Sequence, residues 1–87
     1  MAYRVVVPPT VEKQIAVLHP LLKKRIRSAL DELADNPFKG KPLVEELAGF
    51  FSYRVDTWRI VYAIRRNVLE VQVVAVGPRK TIYQSIL

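Results

Sequence analysis

The chain has 87 residues, 51% hydrophobic and 25% charged, the balance of one small folded domain spanning residues 1–87 rather than of a disordered chain. Fourteen Lys and Arg against eight Asp and Glu leave a formal charge of +6, which favours polyanionic partners: nucleic acid, an anionic membrane surface or an acidic protein. With no cysteine and one histidine, disulfides and thiolate metal sites are excluded and a zinc site or a His-based catalytic pair is hard to assemble, so neither metal nor cofactor is expected.

The opening "MAYRVVVPPT" lacks the apolar run of a signal peptide, and no stretch reaches the ~20 apolar residues of a membrane span. A cytoplasmic protein with no membrane association is expected. "AYRVVV" is β-branched and reads as a first strand, stopped by Pro8 and Pro9, since proline cannot continue a ladder. Thr10 is placed to cap a helix in which Val11, Ile15 and Leu18 share a face. The "HP" at 19 and 20 breaks it, and a second helix runs from Pro20 to about Ala34 with Leu22, Ile26, Ala29, Leu30 and Leu33 inward. The two form a helical hairpin. His19 reads as a helix-break residue, with chemistry as the alternative.

"DNPFKGKPLVEELAGF" shows no long period and reads as a connecting loop, with "LVEEL" a candidate helical turn and Glu45 and Glu46 a solvated pair. The period then changes to two. Phe51, Tyr53 and Val55 share one face of a strand, and Trp58, Ile60, Tyr62 and Ile64 one face of the next. A turn at "RRN" leads into "VLEVQVVAV", with Leu69, Val71, Val73 and Ala75 inward and Glu70 and Gln72 outward, ended by Gly77 and Pro78. The tail "RKTIYQSIL" fits a short strand, a loop or a helical turn equally well. The expected class is α+β: an N-terminal strand, a helical hairpin and a three-stranded antiparallel meander, forming a mainly antiparallel four-stranded sheet with helices on one face.

With Asp56 and Thr57 as a tight turn, Arg54 faces Arg59 on the side opposite the core, Ser52 lies beside Val61, and Arg65 lies further along. Like charges directly opposite destabilise a strand pair, so the pairing needs a reason. Three are available: the arginines are solvated and splayed over Val61, they pair with Asp56 or Glu70, or they hold a phosphate that their planar forks suit. "GPRKTIY" adds Arg79 and Lys80 where the last strand ends, and Tyr83 supplies either a core ring or a ring on which a base can stack.

In combination, "NPFKGKPLVEELAGFFSYRVDTWRIVY" followed by "VVAVGPRKTIY" resembles the RelE/ParE superfamily of toxins from toxin–antitoxin pairs, closest to RelE-like mRNA interferases. That resemblance covers nearly the whole chain. It implies a RelE-like fold and a toxin that enters the 30S ribosomal A site and cuts messenger RNA there, inhibiting translation. It further implies Arg59, Arg79 and Tyr83 as catalytic residues and Arg54, Lys80, Arg65 and Ser52 as RNA-binding residues. A cognate, often acidic antitoxin is the implied partner, in a hetero-oligomer. Ser52 stands where some RelE toxins have a lysine, which leaves the general base open among Tyr83, Lys80 and water. A ParE-like poison of DNA gyrase, and an inactive antitoxin-binding module, are the alternatives.

Overall fold

A computed structural model describes residues 2–79 and 81–86. The chain runs β1 (Arg4–Val6), α1 (Pro9–Ala16), α2 (Pro20–Asp35), β2 (Lys41–Pro42), β3 (Phe50–Val55), β4 (Trp58–Arg65), β5 (Glu70–Pro78) and α3 (Ile82–Ile86). The strands form one mixed sheet in the order β1-β5-β4-β3-β2. β1 lies parallel to β5, and the other neighbours are antiparallel. The α+β class is as expected, but the sheet has five strands rather than four. The extra one, β2, lies inside the segment read as a loop, because two residues carry no period to read.

The helical hairpin owes its angles to prolines. Pro9 and Pro20 each take a first helical position, where the missing N–H costs nothing. Thr10 is not the cap of α1: Pro8 holds that place in an extended conformation with no side-chain cap bond, and the helix starts two residues earlier, at Pro9. His19 caps α2, its Nδ1 accepting from the Leu21 N–H at 3.2 Å. Val11 and Ile15 of α1 join Ile26, Ala29, Leu30 and Leu33 of α2 over the sheet residues Val55, Ile60, Tyr62, Val71, Val73 and Val76. Burying a side chain such as Ile15, Ile26 or Leu33, each 0% exposed, stabilises by about 1.5–3 kcal/mol.

The β3–β4 register agrees with the parity reading at every pair, from Val55 beside Trp58 through Arg54 beside Arg59 and Ser52 beside Val61 to Phe50 beside Ala63. Asp56 makes the turn with φ 55, a left-handed conformation that aspartate tolerates better than most residues.

Two inward assignments on β5 change. Val61 pairs with Ala75 while Tyr62 pairs with Val73, so Val74 is an extra residue and a bulge. Beyond it the alternation inverts: Val76 enters the main core, and Ala75 faces the opposite side with Val61 and Ile82. Leu69 is not a core strand residue either. It closes a 3₁₀ turn (Arg66–Val68) with φ 52 and is 42% exposed.

The tail resolves as a helix. α3 packs on the sheet face away from α1 and α2, where Ile82 is buried with Val61 and Ala75, flanked by Phe50, Tyr83 and Ile86. Helices therefore lie on both faces, not one. Gly77 permits the close seat, since a Cβ there would stand 3.0 Å from Ile82 Cδ1.

Candidate nucleic-acid interface

The face carrying α3 presents the polar groups of the β3–β4 hairpin. Because side chains alternate along a strand, Ser52 and Arg54 share this face on β3, and Arg59 and Val61 share it on β4. Arg59 lies between Arg54 on one side and Gly77 on the other, so no side chain of β5 crowds it there. It is half-buried, and its Nε is buried with no hydrogen-bond partner among the described residues. A buried, unpaired N–H of a cation is costly.

Neither nearby carboxylate neutralises the pair. Asp56 takes an ion pair from Arg25 at 2.5 Å, while Arg54 Nε donates only to the backbone carbonyl of Asp56, at 3.1 Å. Glu70 is engaged by Arg4, whose hydrogen bond, aided by the nearby Arg65 charge, holds its carboxyl below the usual carboxylate range.

Tyr83, in the first turn of α3, is the core ring that its sequence context allowed. Its half-buried ring joins the small core around Val61 and Ile82, and its hydroxyl donates to Ser52 Oγ at 3.0 Å. Ser52 is 4% exposed, so it acts as a buried post for the tyrosine. Arg59, Ser52 and Tyr83 line one hollow of about 350 Å³, walled on its apolar side by Leu43, Val44 and Leu47. Arg54 and Arg79 line a second hollow of about 500 Å³, where the Arg79 N–H donates to the Thr57 carbonyl at 2.8 Å and ties the end of β5 to the hairpin turn. Arg54 and Arg59, adjacent across the strands, join the two hollows.

Arg65 is not brought in. It is six residues from Arg59 along β4, about 20 Å at the rise of an extended strand, and lies opposite Glu70. Lys80 lies outside the described residues. One residue that sequence reading missed lines the first hollow: Lys41, directly opposite Ser52 on β2. Flanked by Gly40 and Pro42 in an aperiodic segment, it carries no signal that could set its register.

Tyr62, fully buried, holds that segment in place. Its hydroxyl donates to the Pro37 carbonyl at 2.7 Å and accepts from the Gly40 N–H at 3.1 Å, and its ring stacks on Phe51 at 5.6 Å. Burial pushes the hydroxyl up to about 12, with the Gly40 bond opposing. Among the described residues no group of three His, Cys, Asp or Glu side chains could hold a metal ion, and no helix is long and apolar enough to cross a membrane. Two arginine-lined hollows bordered by a tyrosine can bind a phosphodiester and stabilise charge growing on it without a histidine.

The small mixed sheet with a helical hairpin on one face is the fold of RelE-like toxins. Residues 5–83 match the family model described as the ParE toxin of the type II toxin–antitoxin system parDE. The chain is 35% identical over 86 residues to Toxin RelG of Mycobacterium tuberculosis, covering 97% of this chain and 99% of that protein. It belongs to the ParE toxin family of type II toxin–antitoxin systems. Among solved structures it is similar to a RelBE toxin–antitoxin complex of M. tuberculosis, with TM-score 0.82 and 31% identity over 91% of this chain and 100% of that one. A free-state mutant of Escherichia coli toxin RelE shares the fold, with TM-score 0.77 and 18% identity over the whole of both chains.

Proposed function

We propose that this toxin is a ribosome-dependent endoribonuclease that cuts messenger RNA in the 30S A site. The observation that carries the reading is the hollow that Arg59 lines together with Ser52 and Tyr83, with Arg54 directly beside Arg59 on the neighbouring strand. An RNA phosphate seated in that hollow accepts from the guanidinium of Arg59 and neutralises Arg54 and Arg59 together. The 2′-oxygen attacks the neighbouring phosphorus and gives up its proton. The bond to the 5′-oxygen breaks, and that oxygen takes up a proton, leaving a 2′,3′-cyclic phosphate and a 5′-hydroxyl. Arg59 and Arg79 stabilise the charge growing on phosphorus-bound oxygens, where preorganised cations act most strongly. Tyr83 orients the adjoining base, with Ser52 fixing its hydroxyl, and Arg54 holds a flanking phosphate.

An antitoxin is the expected protein partner, as similar structures include toxin–antitoxin complexes. The family model is that of ParE, which favours gyrase poisoning as a second reading. Purified protein added to programmed ribosomes, with messenger ends mapped by primer extension, separates the two. Cuts at the A-site codon that need both the ribosome and Arg79 support the ribonuclease. Intact messenger with gyrase-dependent DNA cleavage supports the second reading.

A further inference from the structure

We infer that Lys41 is the general base of this site, a lysine delivered from the edge strand β2. Resting on the ribonuclease reading, it answers a chemical need that reading leaves open. The attacking 2′-hydroxyl must lose a proton, and arginine, which stays protonated at any working pH, cannot take it. Tyr83 has its hydroxyl directed at Ser52 Oγ. Of the described residues lining the hollow that contains Arg59, Lys41 alone carries an amine.

Its placement is built rather than incidental. Lys41 pairs with Ser52, and side chains of directly opposed residues leave the sheet on the same face, about 4.5–5.5 Å apart at Cβ. Lys41 therefore enters the hollow from the neighbouring strand, beside Ser52. The backbone on each side is pinned: Gly40 N–H to Tyr62 Oη at 3.1 Å before it, and Leu43 N–H to the Phe50 carbonyl at 2.9 Å after it. Pro42 gives up a donor that an edge strand does not need. Lys39, two residues earlier, is tied to Glu32 at 3.3 Å, whereas Lys41 has no ion-pair partner among the described residues. An exposed stem on a fixed backbone lets the amine reach the reacting group.

In the step assigned to it, neutral Lys41 Nζ takes the 2′-hydroxyl proton as the 2′-oxygen bonds to phosphorus. The P–O5′ bond breaks, the 5′-oxygen is protonated from solvent, and the lysine later releases its proton to water.

The test measures single-turnover cleavage on programmed ribosomes from pH 6 to 9 for the wild type, Lys41→Ala, Lys41→Arg and Lys39→Ala. Binding is followed separately with messenger carrying a 2′-deoxy A-site codon, which cannot be cut. Expected are losses of about 10²–10⁴-fold in rate for both Lys41 variants, a rise of rate with pH that is present in the wild type and flattened in both, and retained binding by Lys41→Arg. Lys39→Ala keeps the wild-type rate. Lys41→Arg cutting within threefold of wild type reduces the residue to a cation and overturns the base role, as does an unaffected Lys41→Ala. A wild type that leaves the messenger intact overturns the ribonuclease reading itself, and the base with it.

Discussion

Replacing Tyr62 by Phe removes one oxygen from a closed environment and strands two partners. The ring keeps its place against Phe51, but the Pro37 carbonyl and the Gly40 N–H, both on buried residues, lose the group that satisfied them. Each unsatisfied buried group costs about 1–3 kcal/mol. Allowing for partial relaxation of the surface-connected 37–41 segment, the expected loss is about 2–4 kcal/mol, or roughly 10–25 °C in Tm for a domain of this size. Urea titration of wild type and Tyr62→Phe, with thermal melts alongside, measures it. A second signature comes from alkali. The native hydroxyl titrates at about 12 against an ordinary 10.0, so its protonated form is favoured by folding. That stabilisation is complete below pH 10 and is lost as pH rises through 12, a decline on the order of 2–3 kcal/mol. Tyr62→Phe has no such group, and the other alkaline titrations are common to both proteins, so the gap between them narrows over that window. A gap under about 1 kcal/mol at pH 7, or one that stays constant from pH 9 to 12, refutes the reasoning.

Gly40→Ala drives a Cβ into Tyr62 Oη and to 3.1 Å from the Ser52 carbonyl; thermal melts should show a loss of about 1–3 kcal/mol, the usual cost of overpacking. For single-stranded RNA followed by fluorescence anisotropy against salt, Arg54→Ala and Arg59→Ala should each lower the slope of log K by about 0.7, one phosphate contact apiece, while Arg65→Ala leaves it unchanged. An equal effect at Arg65 removes the two-hollow description of the interface. Glu12 and Arg27 form an exposed ion pair at 2.5 Å; the Arg27 hydrogen bond lowers the Glu12 carboxyl, so its contribution is present above the unfolded carboxylate value near 4.5 and disappears on acidification through the lower native one. Glu12→Gln should cost under about 1 kcal/mol at pH 7 by chemical denaturation, and nothing below that window.

Ser52 anchors Tyr83 on one side and lies directly opposite Lys41 of the neighbouring strand on the other. The cost of exposing two facing arginines is met partly by the local backbone, through the Asp56 carbonyl that accepts from Arg54, while Arg59 Nε has no hydrogen-bond partner among the described residues.

What the sequence determined by itself was local. A two-residue turn and a period of two fixed all six β3–β4 pairs, and with them the opposition of Arg54 and Arg59, because register in a short hairpin follows from the turn and the buried face. The helical hairpin was legible for the same reason, from prolines at helix starts and apolar residues at helical spacing. Tertiary structure alone decided what depends on distant segments meeting. The parallel pairing of β1 with β5 joins chain positions far apart, and two-residue β2 exists only because β3 offers it an edge. The Val74 bulge exchanged Ala75 for Val76 in the core, and α3 found its side of the sheet through Ile82 and Gly77. Periodicity cannot see such choices, since they are made by packing between surfaces and not along the chain. The same limit hid the separation of Arg65 from the site and the arrival of Lys41 within it.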